Sequence, residues 1–304
     1  MKNQRVLVTG GAGFIGSNVA NRLAADNEVV VVDDGSLGTP ANLDGSVAFH
    51  DRSVLESDLP TDVDVVFHFA ALSSYGMHEA EPRRGARVNV EGFINVVEQA
   101  RADGCERVVY ASTSSIYGDR TEPSPESMAV SASTGYEASK LARERYAEYF
   151  AEHYGLSLAG LRFFSVYQGY GGAEEHKGEY ANVIAQFAED IASGDRPVVY
   201  GDGTQTRDFT HVSDAVTAAV LAAENELNGV YNVGTGRRHS FEDVVAALNG
   251  ELGTDVAPEY VENPIPESVY VHDTCADASK LRAATGWEPR VGFEEGIEMV
   301  CRQY

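Results

Sequence analysis

Apolar and polar positions alternate in blocks along the first half of the chain. Val6-Leu7-Val8 is a short apolar run that ends in a glycine turn, and Phe14 to Ala25 then repeats apolar residues at helical spacing. Val29 to Val32 is β-branched throughout, Val63 to Phe69 and Val108 to Ala111 read as further strands, and Val90 to Ala102 reads as a helix. Continuous apolar strands separated by helices predict a parallel sheet covered on both faces, hence an α/β fold. After about residue 165 the pattern loosens. Glycines cluster at Gly169, Gly171 and Gly172, and Pro197, Asn263-Pro264 and Pro266 punctuate shorter elements. A helix over Tyr180 to Ser193, a strand near Val198 to Tyr200, and helices near Ser240 to Gly250 and Phe293 to Cys301 are expected. The second half therefore reads as a smaller unit interleaved with the end of the first.

With 304 residues, the chain has room for one large α/β unit with a smaller one attached. Forty-three per cent of residues are apolar, no stretch approaches the ~20 apolar residues of a membrane span, and the first residues lack the apolar core of an export signal. Charge changes the picture more. Forty-seven acidic residues oppose 23 basic ones for a formal net charge of −24, and only Lys2, Lys140, Lys177 and Lys280 are lysines. Such a surface repels nucleic acid and anionic membranes. Apolar periodicity from end to end argues against disorder, which leaves adaptation to high salt, where counterions screen carboxylate repulsion. Cys105, Cys275 and Cys301 are odd in number and widely spaced, as expected of free thiols in a reducing, cytoplasmic setting. The eight histidines form no metal-ligand pair, so no metal is expected.

Two motifs carry chemistry. Thr9-Gly10-Gly11-Ala12-Gly13-Phe14-Ile15-Gly16 lies between the first strand and the first helix. Gly10, Gly13 and Gly16 allow a tight turn, a close approach to a pyrophosphate and close helix–strand packing, while the helix start offers free N–H groups to phosphate. Asp33 ends the second strand, where its carboxylate can accept from an adenosine ribose and would repel a 2′-phosphate, favouring NAD over NADP. Tyr136-Glu137-Ala138-Ser139-Lys140 opens a helix with Tyr136 and Lys140 on one face. A tyrosine ordinarily titrates near pH 10; a neighbouring ammonium is expected to favour its phenolate, letting Tyr136 take a hydroxyl proton while the same carbon loses hydride. Ala111-Ser112-Thr113-Ser114-Ser115, just after a strand, supplies hydroxyls that can share that proton.

Together with His68-Phe69-Ala70-Ala71, Asn89-Val90-Glu91-Gly92, Ile116-Tyr117-Gly118, Leu161-Arg162-Phe163-Phe164, Gly201-Asp202-Gly203 and Arg207-Asp208-Phe209, these motifs resemble the extended short-chain dehydrogenase/reductases of the nucleotide-sugar epimerase/dehydratase family. The resemblance implies a Rossmann domain holding NAD over residues 1–165, with segments at about 201–235 returning to it. Residues 166–304 would then mainly form an α/β domain for a nucleoside-diphosphate sugar. It also implies a homodimer formed through a two-helix face. It gives Thr113, Tyr136 and Lys140 the catalytic roles. It places Gly10, Gly13, Phe14, Ile15, Gly16, Asp33, Asp51, Arg52, Phe69, Ala70, Ala71, Ser73, Asn89, Ser112, Tyr136, Lys140 and Phe163 at the cofactor. Thr113, Ser165, Asn182, Val183, Tyr200 and Arg207 fall at the substrate. Arg207 has a plainer alternative, a surface ion pair with Asp202 or Asp208.

Within that family, sugar dehydratases follow the catalytic threonine with Asp-Glu, and the related decarboxylases keep a glutamate at the second place; here Ser114 and Ser115 stand there. The resemblance therefore implies epimerisation by transient oxidation to a keto sugar and re-reduction, as in the UDP-glucose/UDP-galactose 4-epimerases. Two departures stand out: Ser165 replaces the asparagine usual after Arg-Tyr-Phe, and Val269 to Asp273 lacks the expected second diphosphate-binding arginine. Glu174-Glu175-His176-Lys177-Gly178 resembles instead a segment of ADP-heptose 6-epimerases in which the lysine is a second acid/base, making Lys177 a candidate. A net NAD-dependent dehydrogenase or reductase on a nucleotide sugar is the alternative reading, and a non-catalytic NAD-binding protein a distant third.

Overall fold

The computed structural model describes residues 1–60 and 62–304. Strand β1 (Arg5–Thr9) runs through the glycine turn into α1 (Phe14–Ala24), followed by β2 (Glu28–Asp33), β3 (Ala48–Asp51) and β4 (Val65–His68). Helices α2 (Tyr75–Ala80) and α3 (Pro82–Ala86), a π-helical stretch at Arg87–Glu91 and α4 (Gly92–Ala102) lead to β5 (Arg107–Ala111). Helix α5 (Gly135–Tyr154) crosses to β6 (Ser157–Phe163). The remaining chain forms β7 (Val166–Tyr167), α6 (Val183–Ser193), β8 (Val198–Tyr200), β9 (Thr206–Arg207), β10 (Thr210–His211), α7 (Val212–Glu224) and β11 (Gly229–Val233). It closes with β12 (His239–Ser240), α8 (Phe241–Leu252), β13 (Glu259–Val261), α9 (Ser279–Thr285) and α10 (Phe293–Cys301).

Seven strands form one parallel sheet in the order β3-β2-β1-β4-β5-β6-β11. The order reverses between β1 and β4, and in such sheets the crevice beyond the carboxyl ends at the reversal is where ligands bind. The glycine turn leaves β1 there and Phe69-Ala70 leaves β4. On one face Val19, Ala20 and Leu23 of α1 pack with Ala215, Ala218, Ala219 and Ala222 of α7 and with Trp287. The alanine stripe keeps α7 close to α1 and the sheet. On the other face Phe93, Val96 and Val97 of α4 and Ala147 and Phe150 of α5 cover Leu7, Val66, Val108 and Leu158. A separate core joins Ile184, Phe187 and Ile191 of α6, Val244 and Leu248 of α8, and Ile297 and Val300 of α10.

Local chemistry sets the boundaries. Helix α5 starts where the Thr134 hydroxyl accepts from the Glu137 N–H, and it stops at Gly155, which takes a left-handed φ of 73°. The helix expected from Tyr180 begins three residues later: Asn182 caps α6 by accepting from Ile184 N–H, and Glu175–Tyr180 turns as a 3₁₀ segment instead. Among the described residues no helix is long and apolar enough to cross a membrane.

Candidate active site

A cavity of about 790 Å³ occupies the crevice at the strand reversal. One end is built by the glycine turn. Gly10 has φ +67°, and a Cβ there would lie 2.4 Å from the Ala70 nitrogen; a Cβ on Gly16 would lie 2.1 Å from the Gly10 oxygen. Glycine is thus required for the β1 and β4 loops to meet and for α1 to seat on the turn. No side chain caps α1 at Gly13, so its first N–H groups remain available to a ligand. Asp33 closes this end. Its carboxylate accepts from Ala12 N–H (3.1 Å) and Gly35 N–H (2.9 Å), and burial pushes it above the ordinary carboxylate range against those bonds.

The other end is built by α5 and the loop after β5. Thr113, Ser112, Tyr136 and Lys140 line the cavity together. Thr113 lies close enough to Tyr136 to favour its phenolate, and its Oγ1 is 2.9 Å from Ser115 Oγ. Lys140 Nζ donates to the Ala111 carbonyl at 3.2 Å and sits 5.6 Å from the Tyr136 ring centre. Here the structure departs from the sequence-based expectation that Lys140 acidifies Tyr136. Burial pushes Tyr136 above its ordinary value, and the opposing influences are Thr113 and the Arg143 charge. Lys140 itself is driven well below the usual lysine range by burial and by Arg143. Ser112 donates to Glu144 at 2.6 Å, and Glu144 is held by Arg162 through bonds of 2.9 and 2.6 Å, a buried pair that fixes α5 against β6.

The third wall comes from residues 165–182. Ser165 takes φ +32°, an uncommon conformation for a residue with a side chain. The fully buried Glu174 carboxylate accepts from the N–H groups of Gln168, Gly169 and Asn182 at 2.8, 3.1 and 2.6 Å, cinching the loop at its base. Lys177 projects from it into the cavity, its Nζ 5.3 Å from the Phe14 ring centre. Burial lowers the Lys177 ammonium, with Glu174 opposing.

Of the residues singled out from sequence, the cavity wall brings together Gly10, Gly13, Phe14, Ile15, Gly16, Asp33, Arg52, Phe69, Ala70, Ala71, Ser73, Phe163, Ser165 and Asn182 besides the catalytic group and Lys177. Asp51 is exposed at the end of β3, outside the wall. Asn89 is buried behind it, exchanging bonds of 2.8 and 3.0 Å with the Leu72 backbone. Val183 is the first residue of α6 and Tyr200 is exposed on β8, both outside the wall. Arg207 also lies beyond it and pairs with neither Asp202 nor Asp208. Its Nη1 donates to the carbonyls of Thr206 (2.8 Å) and His272 (2.7 Å) between the Phe241 and Tyr270 rings. Arg238, which spacing did not single out, reaches Thr206 and Asp273 at 3.4 and 3.5 Å, beside the stretch where the second arginine was expected. The structure adds Gly35, Leu37 and Gly38 from the loop after β2, Met77 from α2 and Tyr180 from the 3₁₀ segment to the wall; no local pattern dictates that these residues reach the cavity.

Residues 6–234 match the model of the NAD dependent epimerase/dehydratase family. The chain belongs to this family. It is 34% identical to the UDP-glucose 4-epimerase of Mycolicibacterium smegmatis over 96% of both chains. It is 32% identical to the UDP-N-acetyl-alpha-D-glucosaminuronate decarboxylase of Bacillus cytotoxicus, over 97% of this chain and 96% of the relative. The UDP-N-acetylglucosamine 4-epimerase of Methanobrevibacter ruminantium M1, solved in complex with UDP-N-acetylmuramic acid, superposes with a TM-score of 0.93 at 32% identity, covering 100% of this chain and 98% of that one. As a member of the NAD dependent epimerase/dehydratase family, the protein is an NAD-dependent nucleotide-sugar epimerase. The cavity fits that cofactor: a cradle that any Cβ would fill at Gly10 and Gly16, uncapped N–H groups for a diphosphate, and an acceptor carboxylate at Asp33.

Proposed function

We propose that the protein interconverts the C4 epimers of a UDP-hexose such as UDP-glucose and UDP-galactose, or of their N-acetyl forms. The observation that carries this reading is the meeting of Tyr136, Thr113 and Lys140 at one end of a cavity whose other end is the glycine turn and Asp33. NAD, when bound, supplies the reversible hydride acceptor needed for passage through a keto sugar. Tyr136 takes the proton of the reacting hydroxyl at its phenolic oxygen and later returns one. Thr113 shares that proton and orients the oxygen, and Lys140 holds the ribose side of the cofactor. Gly10, Gly13 and the start of α1 receive the cofactor diphosphate, Asp33 the adenosine ribose, and Asp51 and Arg52 lie toward the adenine. Asn182, Val183 and Tyr200 take the substrate nucleotide, and Arg207 its diphosphate, a role that suits a guanidinium.

Ser114 and Ser115, in place of the dehydratase and decarboxylase carboxylates, favour epimerisation over elimination or loss of CO₂. Lys177, directed into the cavity, is read as a second acid/base on the face of the sugar opposite Tyr136. Residues 1–165 with 201–235 form the NAD-binding unit, and the remainder of 166–304 the sugar-nucleotide unit. The dimer uses a two-helix face, for which α5 is a candidate because Tyr146, Tyr149 and Tyr154 are exposed on it. The three buried free thiols support a cytoplasmic location, and the net charge of −24 supports adaptation to high salt.

A panel of UDP-, dTDP-, GDP- and ADP-sugars, with products read by NMR, tests the substrate. Turnover of a UDP-hexose deuterated at C4 is expected to retain the label, and solvent hydrogen at that carbon would refute the mechanism. Stoichiometric release of NADH would establish a net dehydrogenase instead. Tyr136→Phe is expected to lower turnover by about 10²–10⁴-fold, and a Lys177→Ala enzyme with full turnover would remove Lys177 from the scheme.

A further inference from the structure

Residues 174–182 form a loop whose two ends are held by one side chain. The buried Glu174 carboxylate takes the Asn182 N–H, so the chain leaves and returns at the same place. Between these ends Glu175–Tyr180 turns as the 3₁₀ segment, interrupted at Gly178, whose φ of 50° and ψ of −124° bend the chain. A Cβ on Gly178 would meet nothing within 4 Å, so this glycine serves backbone conformation and not packing. Residues 176–182 all line the cavity, together with Gly13, Phe14 and residues 35–38. A ligand that fills the cavity is therefore covered by this segment.

The segment reaches the opposite wall at three places. Tyr180 stands over Gly76 of α2, where an added Cβ would lie 3.5 Å from its ring. Lys177 Nζ is 5.3 Å from the Phe14 ring centre. His176 Nδ1 lies 3.1 Å from Asn42 Nδ2. Among the described residues this last contact is the only hydrogen bond from residues 175–180 to residues 1–165. Its direction follows from its neighbour. Asn42 Nδ2 also donates to the Ala12 carbonyl at 3.0 Å, so this atom is the amide nitrogen and His176 Nδ1 accepts from it. The ring is then neutral, with its proton on Nε2. Burial first, and the Lys177 charge after it, push the ring below the ordinary histidine range, which agrees with a neutral acceptor. Asn42 is itself held in place: its backbone oxygen accepts from Asn21 of α1 at 2.8 Å, and Thr39 N–H donates to the same Ala12 carbonyl at 3.0 Å. The bond from His176 thus ends, through Asn42, on the glycine turn itself.

We propose that Glu175–Tyr180 is a strap over the NAD cavity and that His176, latched on Asn42, is the positioning residue that holds it shut, so that the coenzyme stays in place throughout a turnover. Epimerisation requires retention, because a keto sugar left without the reduced coenzyme cannot be reduced again. That consequence rests on the proposed transient oxidation. The latch does not, since it concerns NAD binding alone.

The test uses three single variants. His176→Leu removes the acceptor and keeps bulk, His176→Gln keeps an acceptor in its side-chain oxygen, and Asn42→Leu removes the donor. These and the double variant His176→Leu/Asn42→Leu are checked for cooperative unfolding, loaded with NAD and freed of excess. Each is then mixed with alcohol dehydrogenase and ethanol, which turn released NAD into NADH. No sugar is present, so NADH formation reports NAD release. His176→Leu is expected to release NAD about fivefold faster than the wild type, the worth of one ordinary hydrogen bond, and His176→Gln to stay within about twofold of the wild type. The double variant should release NAD no faster than the faster single variant, because both substitutions remove the same bond. Release from His176→Leu at the wild-type rate would overturn the latch. So would His176→Gln as fast as His176→Leu, or effects that multiply in the double variant. If His176→Leu does not fold, His176→Ala is read by the same criteria. With an epimerised nucleotide sugar present, His176→Leu should let more NADH escape per turnover than the wild type, and equal escape would overturn the role in turnover. If no nucleotide sugar is epimerised, the proposed function fails by itself, while the release rates still decide whether His176 latches the strap.

Discussion

The Glu174 carboxylate receives the backbone N–H of Asn182 at 2.6 Å, while its other oxygen holds the N–H groups of Gln168 and Gly169. One side chain therefore closes the loop that carries Lys177 over the cavity and sets the start of α6. Glu174→Ala would leave three backbone donors without that acceptor. A loss of about 3 kcal/mol is expected, from a cost of ~1–3 kcal/mol for each group left unsatisfied and partial rescue by water. Turnover should fall with it, because Lys177 and Asn182 lose their anchor. Urea denaturation beside steady-state kinetics checks this, and unchanged stability would contradict the reading of the loop.

Arg162 and Glu144 are 4% and 3% exposed and bonded through two nitrogens. Arg162→Met strands a buried carboxylate and takes the donor from Tyr117. Destabilisation of about 3–5 kcal/mol is expected. Arg162→Met/Glu144→Leu should recover a large part of it, since both charges are then gone. A double variant no more stable than the single one would show that the pair matters for more than its charges.

Gly10 combines a positive φ with a backbone neighbour 2.4 Å from any added Cβ. Gly10→Ala costs about 1–2 kcal/mol for the left-handed conformation alone, and the clash with Ala70 adds to it. The turn must open, so NAD affinity is expected to drop at least tenfold, about 1.4 kcal/mol. Titration calorimetry with NAD measures it, and a wild-type Kd would mean that the turn does not hold the cofactor.

Asp33 presents its carboxylate to the same end of the cavity. Asp33→Asn keeps the shape and removes the charge that would repel a 2′-phosphate. The ratio of NADP to NAD affinity should rise on the order of tenfold, since two like charges a few ångströms apart near a protein surface interact by a few kcal/mol. An unchanged ratio would take cofactor choice away from this residue.

The formal charge of −24 makes self-repulsion a general destabilising influence at low ionic strength. The midpoint of thermal unfolding is expected to climb as KCl is raised from the millimolar to the molar range. A flat dependence would refute the proposed adaptation to salt.

What the sequence by itself determined is local in origin. The β1–turn–α1 unit follows from glycine sterics, the common face of Tyr136 and Lys140 follows from helical periodicity, and the parallel sheet follows from continuous apolar strands separated by helices. Each depends on residues a few positions apart, where spacing dictates geometry. The rest was decided by tertiary contacts. Lys177 meets Phe14 and Arg238 meets Asp273 only because the later segments fold back over the sheet. Asp51 ends in solvent and Arg207 beyond the cavity wall, although both sit within legible motifs. The largest reversal concerns Tyr136 and Lys140. Spacing puts an amine beside a phenol, but burial pushes Tyr136 above the usual tyrosine range and Lys140 below the usual lysine range. Desolvation depends on everything that packs around a group, and that information is spread over the whole chain rather than held in any motif.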